Sequence, residues 1–390
     1  MNTEDNKTPI LMIAGEHSGD MLGAEVIEQL NLSELKFKYF GIGGELMKKL
    51  NFESLANIED LTVIGITGAI LKYRHLKVLA NAIIEKTISY GCKHVILIDY
   101  PGFNLYLAKE FKKRNIKVIF YVSPQIWAWR FKRIFTIKEN VDLMLLLFLF
   151  EKQIYDEYKI NNVFTGHPII SRMGEKFKSE PEVKSEPGSI IVCLMPGSRT
   201  GEIKRLLKPI LESAKIIFDE MKKKGRKVSF LLPGISKKEE SYILEYLNIF
   251  NNKFPEIKIQ YLFDNSARCI EKSDLVIVAS GTATLEVAYF EKPMVIVYKL
   301  SYITYWIGKM LVQTRHVGLV NILSGKEICK ELIQGTCNSE NISEEALKIL
   351  NDPEYHSEMK NNLKQLRKNM GEGNPASIAA NAILKLIRSS

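Results

Sequence analysis

The 390 residues are 46% hydrophobic, enough for two ordinary domains with a core each, and five cysteines without a CxxC pair exclude a disulfide framework and a thiolate zinc site. The longest apolar run, 141–150, is about half of the roughly 20 residues that a membrane-spanning helix needs. A net charge of +9 favours anionic partners, but the lysines are dispersed and no nucleic-acid recognition motif appears, so no nucleic-acid partner is expected.

Residues 1–7 are polar and acidic, and the apolar run 9–14 is too short for a secretory segment, so a reducing cytoplasm is the expected location. Apolar runs of strand length at 9–15, 95–99, 117–123, 141–148 and 162–166 alternate with amphipathic stretches such as 70–91 and 104–115, the βαβ rhythm of a parallel sheet. Ligands of such sheets bind beyond the carboxyl ends of the strands. After the first run, Ala14-Gly15-Glu16-His17-Ser18-Gly19-Asp20 opens a helix. A capped turn accounts for its glycines, with Ser18 or Asp20 as the cap, but does not require the carboxylate and imidazole of Glu16 and His17. The turn Gly41-Ile42-Gly43-Gly44 comes next. The run 95–99 ends in Asp99, which suits either a general base of raised pKa or a helix entry. After 117–123, Ser123-Pro124-Gln125-Ile126-Trp127-Ala128-Trp129-Arg130 offers rings for sugar faces and a guanidinium for phosphate, or else a packed interface.

A Lys/Glu/Pro-rich stretch, 172–188, reads as a linker. The rhythm then restarts, with strands at 189–197, 228–234, 257–262, 274–280 and 294–299 and helices at 201–224, 238–251, 264–272 and 282–290. Beyond 300 the pattern is helical, ending in the amphipathic stretch 375–388. The fold class is therefore α/β, with Rossmann-like domains at 1–170 and 187–369. In the second, Gly197-Ser198-Arg199 followed by Glu202 supplies backbone N–H groups and a cation suited to a diphosphate. Ser280-Gly281-Thr282-Ala283-Thr284 is a second strand-to-helix turn, without the lysine of an NTPase loop. Glu286 lies in the first turn of the helix that follows, suited to a ribose diol or to a capping box. No GxGxxG with a later acid marks a nicotinamide site. A nucleotide-sugar donor in the second domain and an acceptor in the first are the expected division of labour.

Seven ordered segments carry a family resemblance: AGEHSGD (14–20), GIGG (41–44), IDYPGFN (98–104), YVSPQIWAWR (121–130), GHP (166–168), PGSRTGEI (196–203) and SGTATLE (280–286). Together they resemble the lipid-A-disaccharide synthase family, inverting glycosyltransferases of the type B fold, whose two Rossmann-like domains face each other across a cleft. The resemblance implies transfer from UDP-2,3-diacylglucosamine to 2,3-diacylglucosamine 1-phosphate, forming a β-1,6 bond and releasing UDP. It implies that Arg199 and the turns around Gly197, Ser198, Ser280, Gly281, Thr282 and Thr284 hold the diphosphate. Glu286 would hold the ribose, and Asn321, Glu331 and Gln334 would close the uridine site. Asp99 would be the general base, with Glu16 or His17 as the alternative, and Ser18, Asp20, Asn104, Ser123, Trp127 and Arg130 would face the acceptor. No metal or cofactor is expected, a homodimer is, and a C-terminal helix at about 370–390 would complete the first domain.

The chain departs from the family pattern at Gly102, where IDxPDFN has Asp, at Gly68, where Glu is common, and at Leu149, in place of Pro. The stretch 61–79, apolar and then basic, suits either insertion into lipid with Lys72, Arg74, His75 and Lys77 at the headgroups or an ordinary core helix. Peripheral association with the inner membrane is the expectation for acylated substrates. The competing functions are a UDP-N-acetylglucosamine 2-epimerase, a peptidoglycan-type N-acetylglucosaminyltransferase, and a non-catalytic nucleotide-sugar or nucleic-acid binding protein.

Overall fold

A computed structural model describes residues 7–61, 69–127, 130–184, 186–234, 237–300 and 316–389, without the side chains at 59, 60 and 69–74. Gly68, Trp129 and residues 62–68 of the stretch read as membrane-facing lie outside the described residues, and its residues 69–74 are described without side chains. The chain divides into two units, Met1–Pro168 with Met370–Ser390, and Ile169–Asn369.

The first unit holds strands β1 (Thr8–Ala14), β2 (Phe37–Ile42), β3 (Glu53–Ala56), β4 (His94–Ile98), β5 (Lys117–Tyr121), β6 (Leu143–Leu146) and β7 (Asn162–Phe164), all parallel, in the order β3-β2-β1-β4-β5-β6-β7. The strands read as unbroken apolar runs because both faces of the sheet are covered by helices. Leu11, Ile13, Val95, Leu97, Val118 and Phe120 pack into one core cluster. Their neighbours Ile10, Met12, Ile96, Ile98, Ile119 and Tyr121 pack into the other. The second face is closed by the helix His17–Asn31 together with the helix Pro375–Arg388, which lays Ala379, Ala380, Ile383 and Leu384 into the cluster.

The returning chain meets the sheet at two glycines. Gly166 (φ 88°) and Gly371 (φ 98°) both adopt left-handed torsions, and a Cβ on Gly371 would come within 2.8 Å of the Gly166 Cα. The His167 N–H donates to the Met370 carbonyl at 2.8 Å. The GHP segment thus forms the seam at which the end of the chain rejoins the first unit.

The second unit holds β8 (Ile190–Met195), β9 (Val228–Gly234), β10 (Ile259–Phe263), β11 (Leu275–Ala279), β12 (Met294–Tyr298) and β13 (Glu331–Ile333), parallel, in the order β10-β9-β8-β11-β12-β13. Two differences from the sequence reading stand out. Residues 172–179 of the supposed linker belong to a helix, Ile169–Ser179, with Ile169 and Met173 buried. The region beyond 300 is not wholly helical, because Glu331–Ile333 pairs with β12. Three residues show no strand period, so only the edge of β12 reveals them.

Candidate active site

In both sheets the strand order reverses beside the first strand, between β1 and β4 and between β8 and β11, and the crevice at such a reversal is where ligands bind. In the first unit Ala14 is in register with Ile98, and Ile98 with Tyr121. Gly15-Glu16, Asp99-Tyr100 and Val122-Ser123 therefore leave the sheet side by side.

The backbone there is strained. Asp99 (φ 51°), Tyr100 (φ 47°) and Val122 (φ 73°) all occupy the left-handed region, an outlier for β-branched Val122 in particular. Asn104, fully buried, holds the turn by donating to the carbonyls of Ile98 (3.2 Å) and Asp99 (2.7 Å). The Tyr100 hydroxyl donates to the Leu61 carbonyl at 2.7 Å, and a Cβ on residue 15 would lie 2.4 Å from the Tyr100 ring. Gly15 is thus the space that the ring requires.

Burial pushes the Asp99 carboxyl up from its ordinary value and the charge of Glu16 pushes the same way, while a hydrogen bond from the Tyr100 backbone pulls it down. Glu16 sits exposed at the N-terminus of its helix and makes no side-chain cap. His17 and Ser18 are exposed beside it. Asp20 faces elsewhere: buried, it accepts from the N–H groups of Gly44 (2.8 Å), Leu46 (3.0 Å) and Met47 (3.1 Å), pinning the GIGG turn. Asp20 and Asn104 thus both hold backbone turns in this structure.

Ser123 is buried, its hydroxyl 2.8 Å from that of Tyr155. Beside it lies Glu151, buried, which accepts from the Phe148 N–H (3.2 Å) and more loosely from the Trp127 indole (3.4 Å). Burial raises the Glu151 pKa to about 7. Trp127 also meets Phe150 edge to face at 5.4 Å. Arg130 is exposed at φ 55°. Sequence reasoning did not single out Glu151, Tyr155 or Tyr100. An acid at the third position of a helix was the one available signal for Glu151.

In the second unit the turns after β8 and β11 leave neighbouring strands. Gly197 is left-handed (φ 107°), and a Cβ there would meet the Glu202 carboxylate at 2.7 Å. Glu202 pairs with the exposed Arg199 guanidinium at 3.1 Å and lies 3.4 Å from the N–H groups of Ser198 and Arg199. Gly281 is left-handed (φ 149°), and among the described residues nothing comes within 4 Å of a Cβ built on it. The Ser280 hydroxyl donates to the Val317 carbonyl (3.1 Å) and that of Thr284 to the Gly281 carbonyl (2.7 Å), while Thr282 is exposed. One carboxylate oxygen of Glu286 is buried with no hydrogen-bond partner among the described residues. Burial pushes this carboxyl up, with Lys176 pulling it down and Glu180 pushing it up.

The three residues read as closing a uridine site are engaged internally. Asn321 donates to the Cys329 carbonyl and to Glu331, both at 2.7 Å, and accepts from the N–H groups of Ile328 (2.8 Å) and Cys329 (3.0 Å). Glu331 also accepts from the N–H groups of Val317 (2.8 Å) and Gly318 (2.9 Å). Gln334 pairs with both backbone groups of Leu300, at 2.8 and 3.2 Å. Asn321 and Glu331 shape the chain from 317 to 331, and Gln334 shapes the end of β12. Among the described residues no group of His, Cys, Asp and Glu is placed to hold a metal ion, and no helix is long and apolar enough to cross a membrane.

The family model described as lipid-A-disaccharide synthetase matches residues 10–383. The lipid-A-disaccharide synthase of Syntrophus aciditrophicus is 34% identical over 388 residues, 99% of each chain. That of Persephonella marina is 35% identical over 380 residues, 95% of this chain and 97% of the relative. Among solved structures, MurG of Acinetobacter baumannii superposes with a TM-score of 0.61 at 13% identity, over 97% of this chain and 99% of that one. A UDP-GlcNAc 2-epimerase from Neisseria meningitidis gives 0.58 at 12%, over 98% and 100%. These two likenesses are of fold, the two-domain type B glycosyltransferase architecture.

Proposed function

The chain belongs to the lipid-A-disaccharide synthase family, and from that premise we propose how its residues divide the work of a glycosyltransferase acting on lipid A precursor sugars. The donor is UDP-2,3-diacylglucosamine and the acceptor 2,3-diacylglucosamine 1-phosphate. As the acceptor hydroxyl oxygen attacks the anomeric carbon from the face opposite UDP, its proton passes to Asp99, the new C–O bond forms, and the bond to the diphosphate breaks, inverting the centre. The single observation that carries this assignment is the placement of Asp99 at the strand-order reversal, half-buried, on a backbone held left-handed by Asn104.

The diphosphate leaves with its charge opposed by Arg199 and by backbone N–H groups of the Gly197–Arg199 and Ser280–Thr284 turns, with no step assigned to a metal. Glu286, with an unpartnered carboxylate oxygen, accepts from the ribose diol. Ser18, Trp127 and Arg130 stay as acceptor contacts, while Asp20, Asn104, Asn321, Glu331 and Gln334 act by holding loops. Peripheral contact with the cytoplasmic membrane face and assembly as a homodimer complete the proposal.

The test measures UDP release from UDP-2,3-diacylglucosamine in detergent, with and without the 1-phosphate acceptor, and identifies the lipid product by mass. Acceptor-dependent release with a disaccharide product, lost in Asp99→Ala, is expected. Full activity in that variant moves the base to Glu16 or His17, and donor binding without disaccharide overturns the assignment of the acceptor.

A further inference from the structure

Beside Tyr100, the residue that follows Asp99, lies a cavity of about 650 Å³ lined by Leu76, Lys77, Tyr100–Phe103, Tyr106 and Arg133. Its walls are mostly side-chain carbon and ring, and its cations come from two helices, Lys77 from Ala69–Ser89 and Arg133 from Arg133–Asn140. None of the roles above uses it.

Gly102 has no conformational reason to be glycine. It lies in the first turn of the helix Pro101–Lys112, its φ is not left-handed, and a Cβ there would meet nothing within 4 Å among the described residues. Glycine in a helix is disfavoured against alanine by up to about 1 kcal/mol, so the local structure argues for a side chain at this position. What its absence does is leave the cavity wall bare one turn from the proposed base.

We propose that this cavity seats one acyl chain of the acceptor, with Gly102 leaving the room for it and with Arg133 and Lys77 facing the acceptor's phosphate. The inference rests on the transfer reaction proposed above and adds the part of the acceptor that reaches past Asp99. An anionic amphiphile matches what the cavity offers: apolar walls that gain from each methylene removed from water, and cations for an anionic head. A soluble sugar phosphate would use the cations and leave the apolar walls empty.

The test varies acyl length in synthetic 2,3-diacylglucosamine 1-phosphates and follows the acceptor KM. In the native chain KM falls by roughly four-fold per methylene while the chain is filling the cavity, then levels off. Gly102→Leu narrows the cavity, flattens this dependence and raises KM for long-chain acceptors by about ten-fold. Tyr106→Trp narrows the same space from an exposed position and gives the same sign should Gly102→Leu fail to fold. Dependence on chain length that is unaltered in both variants overturns the inference while leaving the transfer reaction standing. No disaccharide from the native chain with any acceptor removes the reaction itself.

Discussion

The amide of Asn104 donates to the carbonyl of Asp99 at 2.7 Å, so it braces the backbone that carries the carboxylate. Asn104→Ala leaves two carbonyls of a left-handed turn without this donor, and a loss of about 1–3 kcal/mol is expected in chemical denaturation, with kcat falling as Asp99 is released. A variant of native stability whose only defect is acceptor KM contradicts the scaffolding role.

Asp99 and Glu16 repel each other as carboxylates. Burial first, and Glu16 second, raise the Asp99 pKa, so the base carries its proton to a higher pH than an ordinary carboxyl and kcat/KM falls on the acid side as it protonates. Glu16→Gln removes one of the two upward influences, and the acid limb moves to lower pH. Profiles of kcat/KM against pH decide it, and coincident limbs in the two proteins rule the coupling out.

Glu151, with its pKa raised to about 7, sets a stability window. Below about pH 4.5 the carboxyl is protonated folded and unfolded alike. From there upward the unfolded chain ionises while the folded one holds its proton, so stability falls until the folded group titrates near 7, by about 3 kcal/mol in all. Glu151→Gln removes this slope, which thermal denaturation across that window measures. An unchanged slope means the group ionises freely in the fold.

Glu286 and Asn321 separate binding from scaffolding. Glu286→Gln replaces a buried carboxylate lacking one partner with a neutral isostere, so stability holds or rises while donor KM increases by about ten-fold. Donor KM equal to that of the unaltered chain removes the ribose assignment.

Asn321→Ala breaks four internal hydrogen bonds, and destabilisation by about 3 kcal/mol is expected, seen as an earlier unfolding transition. Weakened UDP binding with unaltered unfolding returns Asn321 to the ligand site.

Strands β1 and β4 to β12 were legible, most of them because a sheet covered on both faces needs apolar residues along each strand, which a sequence displays directly. β2 and β3 were not read as strands, because Lys38 interrupts the apolar run of β2 and Glu53 and Ser54 open the four-residue β3. The loops carrying Asp99, Arg199 and Glu286 were legible from their places after strands. The duties of Asp20, Asn104, Asn321 and Glu331 were not, because each is decided by backbone N–H and C=O groups brought to it by the fold. Nor was the meaning of Gly15, which depends on where the Tyr100 ring comes to rest.

The helix Pro375–Arg388 gives the molecule an order of assembly. The first unit cannot close its second core face until all of Ile169–Asn369 has been synthesised, so on the ribosome the unit begun first is finished last. In the interval Leu22, Ala24 and Ile27 of the His17–Asn31 helix lack their final cover, and the Gly166 seam stays open. A frameshift late in the reading frame would therefore damage the half of the protein encoded at its beginning.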